Sequence, residues 1–230
     1  MRLYKFVKPL QAFILTGSEV ALANKCNLLG AKSWKSNASE LNTFIRGDIK
    51  AREALKKKIK TTLKGYQENH CFYCGIHFSL LKNENSNVHI DHFYPKGAEH
   101  GNYEKFVFEM NNLVLSCCLC NGLGIKGEND YGINNDESIL RIGSTIIHPY
   151  FDNIDEHFLL NENTGVIEFI NIDKSKAIKT EEVFRLNSPA QIRARLGDIL
   201  VELHTENDSG RSLSERITDS IGLCGRVALN

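Results

Sequence analysis

Between residues 41 and 66 the apolar positions Leu41, Phe44, Ile45, Ile49, Leu55, Ile59, Leu63 and Tyr66 lie near one stripe of a helix of period 3.6. Asn37, with Glu40 three residues on, fits the N-terminal cap of that helix, and Gly65 ends the pattern. Lysines occupy its other faces. After residue 66 the pattern changes. The short runs 88–93 and 112–117 predict strands, and the residues after Cys117 predict a short helix. Further on, residues 165–171 (GVIEFIN) predict a strand, and Thr180 is the expected cap of a short helix through Leu186. Ser188 and Pro189 open a longer helix, because proline suits the first helical position. Its expected apolar face is Ile192, Leu196, Ile199, Leu200 and Leu203. The tail from Glu206 is polar and contains Gly210. The expectation is an α+β protein, mainly helical around a small central core. Three regions with soft edges follow: 1–66 helical with a basic helix, 67–127 the core, and 128–230 an acidic loop, a short strand and helices.

Charge refines this division. The formal net charge is zero over 230 residues, which argues against a general basic coat. Locally the balance is uneven. From Arg46 to Lys64 eight Lys/Arg stand against two acids, and from Glu128 to Gly165 eight acids stand against Arg141 alone. Such asymmetry reads either as a polyanion-binding or partner-docking face, or as two solvated surfaces. The apolar stretch 10–15 is too short for a membrane span and lacks a signal-peptide layout. The expectation is a cytoplasmic protein without a membrane partner. Its seven cysteines then read as metal ligands or buried thiols, not a disulfide framework.

Four of those cysteines have a metal-binding spacing. Cys71-Phe-Tyr-Cys74 and Cys117-Cys-Leu-Cys120 are two CxxC turns separated by 42 residues. Each turn places two thiolates on one side of a tight loop, and two turns supply the four tetrahedral sulfurs that Zn²⁺ favours. Thioredoxin-like redox chemistry competes for a single CxxC, but no βαβ pattern surrounds either turn. A Cys₄ site has no open position for substrate, so this zinc is expected to be structural. Cys118 is expected to be buried, and Cys26 and Cys224 to be small core residues.

Between and after the two turns come His89-Ile-Asp91-His92-Phe-Tyr-Pro95-Lys96, then Asn112-Leu-Val-Leu-Ser-Cys117-Cys-Leu-Cys120-Asn121, then Lys126-Gly127. In these residues the chain resembles the HNH nucleases, also called ββα-metal or His-Me finger nucleases, in their zinc-binding variant. The likeness covers about 60 residues, 67–127. It implies that Asp91 is a metal-binding acid and His92 the general base. It implies that Asn112 braces the loop aiming that histidine, that Asn121 is a second metal-binding side chain, and that Cys71, Cys74, Cys117 and Cys120 bind zinc. The chemistry agrees with these roles. An imidazole takes a proton from water near neutral pH. Mg²⁺ or Mn²⁺ on one carboxylate and one amide oxygen keeps sites for water and phosphate. Adjacent strand residues point to opposite sides, so Asp91 and His92 share one site only where the strand ends or bends.

Lysines complete the expected site. Lys96 and Lys126 are candidates for phosphate contact, and Lys56, Lys57 and Lys60 on the basic helix for gripping DNA. His89 reads as a local strand residue or an extra active-site imidazole. One departure stands out. The family often places a lysine three or four residues after the last Asn, whereas Lys126 follows Asn121 by five. Two intervening glycines predict a short or irregular helix. In the last third, residues 148–158, Gly165-Val-Ile167, Thr180, Leu186-Asn187 and Arg193-Ala-Arg195 resemble the tail of HNH proteins from the Septu and retron-associated bacterial defence systems. That likeness implies antiphage defence beside an SMC-like or ABC-type ATPase partner. The loop 148–157 reads as packed on the core, docked on a basic partner, or solvated. The competing functions are an RNA- or tRNA-cutting toxin on the same fold and a non-catalytic, zinc-stabilised module that binds nucleic acid or a partner. Homo-oligomerisation is left open.

Overall fold

The computed structural model describes residues 13–35, 46–97, 103–122, 125–134, 138–161, 163–170 and 174–205, with 141 and 198–205 as backbone only. Helix and sheet are mixed. The N-terminal part holds α1 (Gly17–Leu29), the single turn α2 (Lys32–Lys35) and α3 (Arg46–Tyr66). Thr16 and Glu19 form a capping box on α1: Thr16 Oγ1 accepts from the Glu19 amide, and Glu19 Oε2 accepts from the Thr16 amide at 2.7 Å. The stripe of α3 buries Leu55, Ile59 and Leu63 as its period requires. Asn37, Glu40, Leu41, Phe44 and Ile45 lie outside the described residues. Gly65 does not end α3 but sits inside it. The stop comes at Glu68 and Asn69, whose φ values of 46° and 62° turn the chain left-handed while the Asn69 amide bonds the Lys64 carbonyl.

The turn α4 (Glu84–Asn87) leads into β1 (Val88–His92), which pairs antiparallel with β2 (Leu113–Cys117); His92 faces Leu113 and Val88 faces Cys117. The turn α5 (Cys118–Asn121) follows directly and packs on both strands. Gln67 bonds the amide and carbonyl of Leu115 through its side chain, extending the hairpin on its open edge.

A second hairpin, β3 (Phe158–Asn161) with β4 (Val166–Phe169), precedes α6 (Ser175–Phe184) and α7 (Pro189–Thr205). Thr180 does not cap a helix. It lies within α6, where Oγ1 donates to the Lys176 carbonyl and accepts from the Ile147 amide. The described part of α7 buries Gln191, Ala194 and Arg195, whereas Ile192 and Leu196 of the expected face are half-buried and the side chains of Ile199, Leu200 and Leu203 lie outside the described residues. Arg195 turns inward because it donates to the carbonyls of Gly165, at 2.7 Å, and Leu186. The loop 148–157 packs on the core through His148, Tyr150 and Ile154, with the Tyr150 hydroxyl donating to the Leu113 carbonyl at 2.7 Å. One apolar cluster draws on residues from Leu22 to Ala194. No helix among the described residues is long and apolar enough to cross a membrane.

Candidate metal centre and histidine site

The first CxxC turn is shaped by Gly75, at φ 66°, whose amide bonds the Cys71 carbonyl. The second is the junction of β2 and α5. Their sulfurs meet: one ligand atom from each of Cys71, Cys74, Cys117 and Cys120 lies within 4.8 Å of the others, and all four residues are buried. The Cys117 amide donates to Cys71 Sγ at 3.3 Å, and Gln191 Nε2 on α7 approaches Cys120 Sγ at 4.0 Å. Four soft sulfurs so enclosed fit a structural metal ion such as zinc. Among the described residues no other group of three or more His, Cys, Asp or Glu has that closeness. Cys118 is half-buried and disulfide-bonded, a correction to the expectation of a buried free thiol, whereas Cys26 is buried and Cys224 lies outside the described residues.

His92 ends β1. Its ring meets Trp34 edge-on with centroids 4.5 Å apart, and Nε2 lies 3.0 Å from the Val107 carbonyl. A carbonyl only accepts, so Nε2 carries the hydrogen and the basic lone pair is on Nδ1. No described residue bonds Nδ1. Burial holds the imidazole pKa well below its ordinary value, helped by the positive charge of Lys96 and opposed by the Val107 carbonyl. Trp34 is fixed from α3, where Arg52 donates to the Ser33 carbonyl and Lys56 to that of Trp34. Asn112 secures the chain beyond His92. Its Oδ1 accepts from the Tyr94 amide at 2.8 Å, and its Nδ2 donates to the carbonyls of Tyr94 and Phe106, each at 3.1 Å.

Asp91 faces a different set of groups. Oδ2 accepts from the Tyr73 hydroxyl at 2.5 Å, and Oδ1 lies 3.1 Å from Lys126 Nζ. The same ammonium donates to the His92 carbonyl at 2.7 Å. Burial, then the charge of Asp91, raises the Tyr73 pKa well above its ordinary value, so the phenol stays a donor. Lys126 is fully enclosed and cannot meet a phosphate from this position, a correction to the expectation that it does. The Asp91 carboxylate and His92 imidazole thus have separate partners, as the alternation of strand side chains demands.

The remaining candidates divide. Lys96 is half-buried, with its pKa lowered chiefly by burial, and its charge acts on His92. Lys56 stacks on Trp34 at 5.0 Å from the ring centroid and pairs with Glu53. Lys57 is exposed, whereas Lys60 donates to the Val88 carbonyl at the far end of β1. His89 is half-buried on the Asp91 side, its pKa lowered by burial and then by Lys60. Asn121 closes α5 half-buried, and none of the described hydrogen bonds uses its side chain. Sequence reasoning missed Tyr73 and Trp34. Tyr73 lies inside a CxxC turn, a position that draws attention only to its cysteines. No protein-family model matches the chain, and no curated protein matches its sequence.

Proposed function

We propose that the chain is a zinc-stapled HNH-type endonuclease that hydrolyses phosphodiester bonds of DNA. The observation that carries this reading is His92: a neutral imidazole at the end of a strand, its tautomer set by Val107 and the loop after it braced by Asn112. Zinc is the ion we assign to the four cysteines, with the role of joining β2 and α5 to the first turn. In the reaction, Nδ1 of His92 takes a proton from water as the water oxygen bonds to phosphorus. The bond from phosphorus to the 3′ oxygen breaks, and the leaving oxygen takes its proton from solvent. Lys96 supplies positive charge for the negative charge that develops.

A catalytic Mg²⁺ or Mn²⁺ on Asp91 and Asn121 does not fit the residues as they stand, because both Asp91 oxygens are engaged. No step is therefore routed through it. A role in antiphage defence, beside an SMC-like or ABC-type ATPase, rests on the likeness of the tail residues alone. The enclosure of Asp91 favours a second reading, a non-catalytic module that holds nucleic acid or a partner. Nicking of supercoiled plasmid by wild type beside His92→Ala separates the two, with parallel lanes of single-stranded DNA and RNA. Cutting that disappears in His92→Ala supports the nuclease and identifies its polymer, including the RNA-cutting alternative. Equal cutting by both proteins would sink the role of His92. Absence of cutting with and without a co-expressed ATPase favours the binding module.

A further inference from the structure

Asp91 is 4% exposed, and Tyr73 and Lys126 beside it are still more enclosed. Tyr73 takes one carboxylate oxygen and Lys126 the other. A hard divalent cation of the Mg²⁺ type needs carboxylate oxygen at close range and keeps several waters around it. At Asp91 a cation already stands on the oxygen such an ion would take. That cation is doubly held, by the carboxylate and by the His92 carbonyl. A second positive charge beside it is repelled, and repulsion acts strongly where burial weakens screening. Among the described residues Asp91 belongs to no group of three or more His, Cys, Asp or Glu side chains that would offset that cost.

We propose that Lys126 is the resident cation of Asp91, and that its ammonium keeps divalent ions off this carboxylate. Asp91 and Lys126 are then positioning residues. Together they fix the main chain at His92, from which the imidazole projects. The functional meaning of this arrangement rests on the nuclease reading; the exclusion of divalent ions does not.

The test is a Mn²⁺ titration, read by the electron paramagnetic resonance of free Mn²⁺, on the zinc-loaded full chain. Wild type, Asp91→Asn, Lys126→Met and the double variant are compared. Wild type and Asp91→Asn are expected to bind Mn²⁺ alike. Lys126→Met is expected to gain a site tighter than any in wild type by roughly tenfold or more, and the double variant to lose it. An Asp91-dependent Mn²⁺ site in wild type overturns the proposal, as does a folded Lys126→Met protein that gains none. Should Lys126→Met not fold, the comparison of wild type with Asp91→Asn decides alone. Cleavage is not read in this titration, so a failure to cut nucleic acid counts against the nuclease reading only.

Discussion

The hydroxyl of Tyr73, within the first CxxC turn, donates to Oδ2 of Asp91 at 2.5 Å, so one side chain joins the cysteine cluster to the strand that carries His92. The ring of Tyr73 stacks on Phe184 of α6 with centroids 4.1 Å apart, which also fixes it from the C-terminal part. Tyr73→Phe keeps the stacking and removes one donor from a buried carboxylate. The expected loss is about 1–3 kcal/mol of stability with the metal retained, measured by urea denaturation and zinc content. An unchanged denaturation midpoint would show that the bond contributes nothing net.

Loss of one cysteine tests the other end of this link. Four thiols within 4.8 Å tie residues 71–74 to the junction of β2 and α5. Structural zinc contributes on the order of 10–16 kcal/mol in small metal-folded units. Cys71→Ala is therefore expected to abolish the cooperative thermal transition together with zinc binding. A folded, zinc-free Cys71→Ala protein would refute the structural role.

How far these features were legible depends on how local they are. The CxxC spacings and the runs around 88–93 and 112–117 carry their own patterns, and β1, β2 and the cysteine cluster follow from them. The joining of Tyr73, Asp91 and Lys126 brings together three distant parts of the chain, and no periodicity encodes it. β3 was not read because Phe158-Leu-Leu-Asn161 shows no alternation; its register comes from pairing with β4. The inward turn of Arg195 on α7 has no sequence signal, because hydropathy cannot anticipate a buried guanidinium. Arg195 is held by two main-chain carbonyls that only the fold brings near.

Asn112 offers a sharper test of how the histidine loop is held. Its amide forms three bonds to main-chain groups of Tyr94 and Phe106. Asn112→Ala leaves these buried groups without that partner, at a cost on the order of 3 kcal/mol. Asn112→Asp keeps the acceptor for the Tyr94 amide but sets a carboxylate against two carbonyls, so it is not expected to rescue. Both variants are expected to lower the denaturation midpoint and any cleavage rate. Full stability in Asn112→Asp would show that the two donated bonds are dispensable.

The pH dependence follows from His92, whose pKa in the folded protein is held well below its ordinary value by burial and by Lys96. In the window between that depressed value and the ordinary value near ~6.5, the unfolded chain binds more protons than the folded one. This group's contribution therefore makes stability fall as pH drops from ~6.5 toward the folded value, with no pH dependence from it above that window. Cleavage, which needs the neutral base, is expected to persist at pH values where an ordinary histidine is already protonated. Lys96→Met removes the positive charge and is expected to move both the NMR titration of the His92 ring and the acid limb of cleavage upward. An imidazole that titrates at the ordinary value in wild type, unmoved by Lys96→Met, would show that neither burial nor the neighbouring ammonium sets its charge.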